Sequence, residues 1–212
     1  MRVLSPVVLL LAAVYASTSV FAQQKPAAGA SLVYTEGEVY LNDRSLDPKT
    51  PSGVLPDIAL LRTSEGRAAI ALKRGGFLFL NAGSSLRVLG NGVYNFNRIE
   101  MLAGSAIVAS GGSAPLVECE SDIRLSDGGI FRFDIQQITS PSERSCKFRV
   151  FEGAAAVPLI TVTNALRAGQ TMMCNRRCGD MIPTSEFSRE QLDDFDQWAR
   201  RMHERLRKPQ FP

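Results

Sequence analysis

The sequence predicts an all-β domain, a short β-solenoid or sandwich-like fold, finished by one C-terminal α-helix. Three observations carry this. Short apolar or alternating runs recur along the chain, most of them introduced by a glycine, as strands bounded by tight turns require. The last segment switches to a helical period, with Leu192, Phe195, Ala199, Met202 and Leu206 on one stripe. The chain has 212 residues, 45% of them apolar and 21% charged, which allows one substantial core and is too apolar for a disordered chain.

The first segment sets the compartment. Residues 1–22 open on Met1-Arg2, continue through the apolar run Val7–Val14 and end on Ser17-Thr18-Ser19-Val20-Phe21-Ala22. A positive start, a short apolar core and small residues at −3 and −1 predict a secretory signal cleaved between Ala22 and Gln23. The expected product is periplasmic or secreted. Removing 22 of the 212 residues leaves 190, with no transmembrane helix expected in the mature chain. Residues 23–31, rich in Ala and Gln with Lys25, Pro26 and Gly29, read as a flexible leader.

Residues 32–183 form the predicted β domain. Its runs are Gly37–Leu41, Gly66–Leu72, Gly76–Leu80, Ser85–Leu89, Gly104–Val108, Gly129–Ile135, Cys146–Phe151, Gly153–Val157 and Gly169–Met173. Phe131-Arg132-Phe133-Asp134-Ile135 and Lys147-Phe148-Arg149-Val150 alternate apolar with charged residues, so each predicts a strand with one wet face. Phe77-Leu78-Phe79-Leu80 has no polar position and predicts a strand covered on both sides. Asp47–Pro56 holds three prolines and predicts a loop rather than a ladder strand. The glycines match neither a P-loop nor a dinucleotide fingerprint, so they read as turn residues with φ > 0.

Residues 184–212 predict the helix and its tail. Ser188 with Gln191 makes a capping box, and Phe187 with Leu192 a hydrophobic staple. Trp198 borders the apolar stripe. Asp193, Asp194 and Asp196 lie early and Arg200, Arg201, Arg205, Arg207 and Lys208 late, which suits the helix dipole, and Pro209 ends the element. Arg200, Arg201 and Arg205 also form a candidate contact for a polyanion or an anionic membrane surface, against the simpler reading of a solvated helix end.

The four cysteines are the most specific chemistry in the chain. An exported chain with an even count predicts disulfides, and Cys119–Cys146 with Cys174–Cys178 is the favoured pairing of the three possible. The first bridge would stabilise by roughly 3 kcal/mol in the chain-entropy model. A redox pair at Cys174 and Cys178, helped by Arg176 and Arg177, is the sharper alternative, but the spacing is CxxxC. A four-cysteine zinc site would need two close pairs, and only one is close.

Catalysis, cofactors and metal ligands are not expected. The single histidine, His203, excludes multi-His metal sites and reads as a surface or dipole-interacting residue. Asp134 and Glu152 read as solvated carboxylates, and Glu118 and Glu120 as side chains pointing away from the core. Nucleophile-elbow, zincin and kinase signatures are missing from the sequence. A formal charge of +3 gives no reason to expect nucleic acid.

The order of the strands resembles the FecR family over roughly residues 32–173. Gly37-Glu38-Val39 comes first. Leu60-Leu61-Arg62-Thr63, Gly66-Arg67-Ala68-Ala69-Ile70, Phe77–Leu80 and Ser85-Leu86-Arg87-Val88 follow. Gly128-Gly129-Ile130-Phe131-Arg132-Phe133 is third, and Val150-Phe151-Glu152-Gly153 with Leu166-Arg167-Ala168-Gly169-Gln170 is fourth. The tail Phe195-Asp196-Gln197-Trp198-Ala199 is similar to one that follows such domains in Gram-negative envelope proteins. The resemblance implies a periplasmic FecR-type β domain without catalytic residues, in a family whose best-known members relay a signal from an outer-membrane transporter to a cytoplasmic sigma factor. With only Met1–Pro6 ahead of the apolar run, the cytoplasmic anti-sigma region of those regulators is not expected. The expected function is therefore a non-catalytic sensor or scaffold module of the cell envelope whose partner is an envelope protein or glycan. A carbohydrate-active or thiol-redox enzyme, and a structural protein that oligomerises through its helix, are the alternatives.

Overall fold

The structure is a computed structural model that describes residues 29–47, 53–72, 75–89, 98–137, 144–158, 163–175 and 184–208. The chain opens with β1 (Ser31–Glu36), β2 (Val39–Leu41) and the short β3 (Arg44–Ser45) and β4 (Gly53–Val54). It continues through β5 (Ile58–Thr63), β6 (Arg67–Ala71), β7 (Gly76–Leu80) and β8 (Ser85–Leu89), then β9 (Arg98–Ala103), β10 (Ser105–Ser110), β11 (Leu116–Glu118) and β12 (Asp122–Leu125). The last strands are β13 (Ile130–Gln137), β14 (Arg144–Glu152), β15 (Ala154–Pro158), β16 (Thr163–Arg167), β17 (Gln170–Asn175) and β18 (Ser185–Glu186), and α1 (Asp194–Arg207) closes the described chain.

The strands form two nine-stranded sheets, ordered β18-β17-β14-β13-β10-β7-β6-β1-β4 and β16-β15-β12-β11-β9-β8-β5-β2-β3. Among the described residues all pairings are antiparallel except β9 with β11. The expected all-β fold with one helix is what the chain adopts, and its form is the sandwich rather than a solenoid.

The sandwich is built from long hairpins folded over. β5 pairs with β8 in the second sheet, and their continuations β6 and β7 pair in the first. β12 pairs with β15 in the second sheet, while β13 pairs with β14 in the first. The recurrent glycines therefore mark the corners where a strand leaves one sheet for the other. At Gly104, between β9 and β10, φ is 72°, and an added Cβ would lie 2.5 Å from the carbonyl oxygen of Gly83 in the neighbouring corner. No side chain fits there, and the backbone angle favours glycine as well.

Small hydroxyls satisfy the backbone groups that the corners leave without a ladder partner. Ser84 N–H donates to Thr63 Oγ1 at 2.9 Å. Ser84 Oγ donates to the carbonyl of Ser105 and accepts from its N–H, both at 2.9 Å. Gly129 N–H donates to Ser110 Oγ at 2.8 Å. Thr63, Ser84 and Ser110 are all buried.

Two apolar layers result. The main core lies between the sheets and includes Leu61, Ile70, Leu78, Leu86, Phe131, Phe133 and Phe148. The second lies on the outer face of the first sheet, where Ala69, Phe79, Ile107 and Ala109 meet Phe195, Trp198, Ala199 and Met202 of α1. Phe77–Leu80 is thus covered on both sides as expected, with Leu78 and Leu80 facing the main core and Phe79 facing the helix. Trp198 sits inside the buried stripe rather than at its border. A 14-residue helix is marginal in isolation, so this docking is what holds it.

Several boundaries differ from the sequence reading. Ser31 already pairs in β1 and Ala30 is fully buried, so the end of the expected leader belongs to the domain. Gly53–Val54, inside the expected proline loop, adds to the edge of β1 through Ser31↔Val54 and Leu32↔Gly53. Three of the four sheet edges, β3, β4 and β18, are two residues long, which limits edge-to-edge association.

The helix starts later than the Ser188 box predicts. Its N-cap is Asp193, in a reciprocal capping box with Asp196. The reason lies upstream. β18 pairs with β17, Phe187 N–H donates to the carbonyl of Gly169 at 2.9 Å, and the Phe187 ring meets Phe151 edge-on at 5.1 Å. These contacts keep Ser188 at the sheet margin, where its hydroxyl donates to Glu190 instead of capping a helix.

Candidate functional site

The face with the most distinctive chemistry is the outer face of the first sheet, where α1 lies on β6, β7, β10 and β13. Strand alternation sends Phe131 and Phe133 into the main core and Arg132 and Asp134 toward the helix. These two charges were expected on a wet face, but both are buried, because α1, some sixty residues downstream, covers them.

Arg132 is the hub. Its Nε donates to Asp134 Oδ1 at 2.9 Å, and its Nη1 to Asp193 Oδ2 at 2.6 Å and to Asp196 Oδ1 at 2.8 Å. The guanidinium also stands over the Phe195 ring, 5.4 Å from its centroid. Asp134 is held in turn by Arg149 at 2.9 Å and by the Ser105 hydroxyl at 2.6 Å. Burial opposes the charge on Arg132, but Asp134 and Asp196, then Asp193, outweigh it and raise its pKa above the ordinary value. For Asp193, burial again opposes ionisation. The Asp196 backbone N–H and the Arg132 guanidinium overcome it and hold the carboxyl below its ordinary value. The cluster fastens the helix N-terminus to β13, with capping and ion pairing on the same carboxylates.

Arg200, Arg201 and Arg205 do not form one patch. Arg200 stands over the Phe151 ring on β14 at 6.0 Å, and Arg205 over the Tyr34 ring on β1 at 6.0 Å. Those strands lie on opposite flanks of α1. Arg201 is exposed. Trp198 is enclosed by Phe79, Phe195 and Tyr34, with the Arg67 guanidinium 5.3 Å above its ring.

His203 is packed rather than superficial. Its ring meets Phe77 at 5.7 Å and Phe79 at 6.3 Å. Burial, then Arg207, pushes its pKa down, with Glu152 and Glu204 opposing. Beside it, at the C-terminal end of α1, a groove of about 370 Å³ is lined by Gly76, Phe77, Gly111, Gly128, Glu152 and Arg207, among others. Under the helix the remaining void is about 20 Å³, room for about one water.

The other expected residues fall as follows. Cys119 and Cys146 form a disulfide within the main core. Cys174 is buried opposite Cys146 in the β14–β17 register. Cys178, Ala22 and Gln23 lie outside the described residues. Glu118 pairs with Arg98 at 2.6 Å. Glu120 departs from expectation, since its side chain is turned inward and pairs with Arg144 at 3.0 Å. Glu152 is exposed as expected. Among the described residues, no helix is long and apolar enough to cross a membrane.

The Arg132 cluster and the groove escaped sequence reading. The one available signal for the cluster was Asp193 and Asp196 at N-cap and N3 spacing, with a buried-strand arginine to receive them.

No family model and no curated protein matches this chain. Two crystal structures of a candidate anti-sigma factor from Parabacteroides distasonis ATCC 8503, at 2.50 and 1.65 Å, are similar to it with TM-scores of 0.49 and 0.48 and sequence identities of 17% and 16%. The alignments cover 63% and 62% of this chain and 62% and 61% of the other, so the chain spans about three fifths of the length of those proteins.

Proposed function

We propose that this chain is an exported, non-catalytic sensor or scaffold module of the bacterial cell envelope, FecR-like in its β domain, which acts by binding an envelope protein or glycan. The observation that carries the reading is where the FecR-like segments fall. Gly37-Glu38-Val39 lies at the β1–β2 corner, Thr63 to Arg67 spans the β5–β6 corner, and Gly128-Gly129 precedes β13. Gly153 separates β14 from β15, and Ala168-Gly169 separates β16 from β17. The resembling stretches thus fall at these sheet-to-sheet corners and in the strands beside them, Phe77–Leu80 in β7 and Ser85–Val88 in β8 among them. The buried Cys119–Cys146 bridge supports an oxidising compartment, in keeping with the signal-like residues 1–22.

The test is made in two steps. Fractionation of cells expressing the full chain is expected to place it outside the cytoplasm, with Gln23 as its first residue. Crosslinked envelope extracts are then expected to yield the same partner repeatedly. A full-length cytoplasmic protein, or purified protein that turns over glycoside or disulfide substrates while no partner is captured, would overturn the reading.

A further inference from the structure

The groove at the C-terminal end of α1 is a place where the molecule could receive a ligand. Part of its lining is glycine: Gly76 of the β6–β7 turn, Gly111 after β10 and Gly128-Gly129 of the β12–β13 corner meet there. An added Cβ on Gly76 would lie 2.6 Å from the carbonyl oxygen of Ala109, and one on Gly111 would lie 2.4 Å from the carbonyl carbon of Gly75. Close backbone packing requires these glycines. One wall is apolar, made by Phe77 and Ile130. The rim carries one anion, Glu152, and one cation, Arg207, both exposed. Neither forms an ion pair among the described residues, although both act electrostatically on the same imidazole, His203. The volume, about 370 Å³, falls within the range of small-molecule sites, which runs from roughly 300 to 1,000 Å³.

We infer that this groove binds a small zwitterion, an α-amino acid or short peptide with an apolar side chain, its ammonium toward Glu152, its carboxylate toward Arg207 and its side chain on Phe77. Opposite charges that both line the groove without forming an ion pair among the described residues are satisfied together by a ligand that carries both signs, whereas a simple anion would meet the repulsion of Glu152. Packing against Phe77 and Phe79 keeps His203 inclined to its neutral form, so the rim stays balanced at one charge of each sign. The inference is separate from the envelope-partner reading. Purified protein can bind such a ligand whether or not a macromolecular partner exists.

The test uses the purified mature chain. Its single histidine gives one imidazole resonance, which reports on the groove. L-phenylalanine and glycyl-L-phenylalanine are titrated beside N-acetyl-L-phenylalanine, L-phenylalanine amide and inorganic phosphate. The two zwitterions are expected to shift the His203 resonance saturably, and each singly charged analogue to bind at least tenfold more weakly. The better zwitterion tells the free amino acid from the peptide. Glu152→Gln and Arg207→Gln alter exposed side chains, so both variants are expected to fold, and each should weaken zwitterion binding about tenfold. No shift with either zwitterion, equal binding of phosphate or the acetylated analogue, or wild-type affinity in both variants would overturn the inference. Capture of an envelope partner by a protein that binds no zwitterion would overturn this inference alone and leave the proposed function standing.

Discussion

Arg132 and Asp196 are hydrogen-bonded at 2.8 Å although both side chains are nearly inaccessible, 8% and 3% exposed. This pair joins β13, an interior strand of the first sheet, to a helix residue 64 positions away. Removing a buried partner and leaving the other charge uncompensated typically costs about 3–5 kcal/mol, whereas replacing both with apolar groups can be nearly neutral. Arg132→Met leaves the nearly inaccessible Asp196 without its guanidinium and should lower stability by an amount in that range, whereas Asp196→Ala leaves Arg132 paired with Asp134 and Asp193 and should cost less. The double variant Arg132→Met/Asp196→Leu should lose clearly less than the sum. Urea unfolding of the four proteins measures this, and strictly additive losses would show that the pair is not coupled.

The Cys119–Cys146 bridge joins residues 27 apart in sequence. In the chain-entropy model a loop of that size stabilises by about 3.5 kcal/mol. Cys119→Ala/Cys146→Ala should therefore shift the urea midpoint down by a corresponding amount. Reductant should act slowly on the wild type, because both cysteines are fully buried. A midpoint unchanged by either treatment would remove the bridge from the stability argument.

What could be read in advance follows the reach of each interaction. The all-β architecture, the doubly covered Phe77–Leu80 strand and the Cys119–Cys146 pairing rest on local composition and spacing, and the structure has all three. The burial of Arg132 and Asp134 could not be read, because alternation with charges looks the same whether the second face meets water or a helix from elsewhere in the chain. The helix start was misplaced for a related reason. Ser188 and Asp193 both begin acceptable capping boxes, and the choice is made by the tertiary contacts of Phe187 with Gly169 and Phe151. Glu152 and Arg207 lie far apart in sequence, and no spacing rule links them to one groove.

The corner glycines are not equivalent. Gly169 has a φ of 87° with nothing within 4 Å of an added Cβ, while Gly104, at 72°, has Gly83 O and Ser84 Oγ both at 2.5 Å. Gly169→Ala should cost only the left-handed backbone penalty, about 1–2 kcal/mol. Gly104→Ala adds overpacking of about 1–3 kcal/mol against a neighbouring backbone, so its loss should be clearly the larger. Thermal unfolding of the two variants separates conformational from packing demand, and equal losses would refute the close-packed corner.

Stability should fall on the acid side in two stages. His203 is pushed down by burial beside Phe77 and Phe79 and then by Arg207, against the weaker pull of Glu152 and Glu204. A depressed folded pKa means the unfolded chain takes up the proton first. The contribution of His203 is thus complete above its unfolded value of about 6.5 and is lost as pH falls through the folded value. Asp193 is also depressed, since the Asp196 backbone N–H and Arg132 outweigh its burial. Its contribution is complete above the unfolded value of about 3.9 and disappears at still lower pH. Urea midpoints measured from about pH 8 to about pH 3 should therefore decline first as pH falls below about 6.5, the unfolded value of His203, then again below about 3.9, the unfolded value of Asp193. His203→Gln should remove the first decline and keep the second. Asp193→Asn should start from a lower neutral-pH stability, having lost its ion pair with Arg132, and should show a weaker second decline. An unchanged first decline in His203→Gln would mean that acid sensitivity near neutrality arises elsewhere than in the imidazole packed under α1.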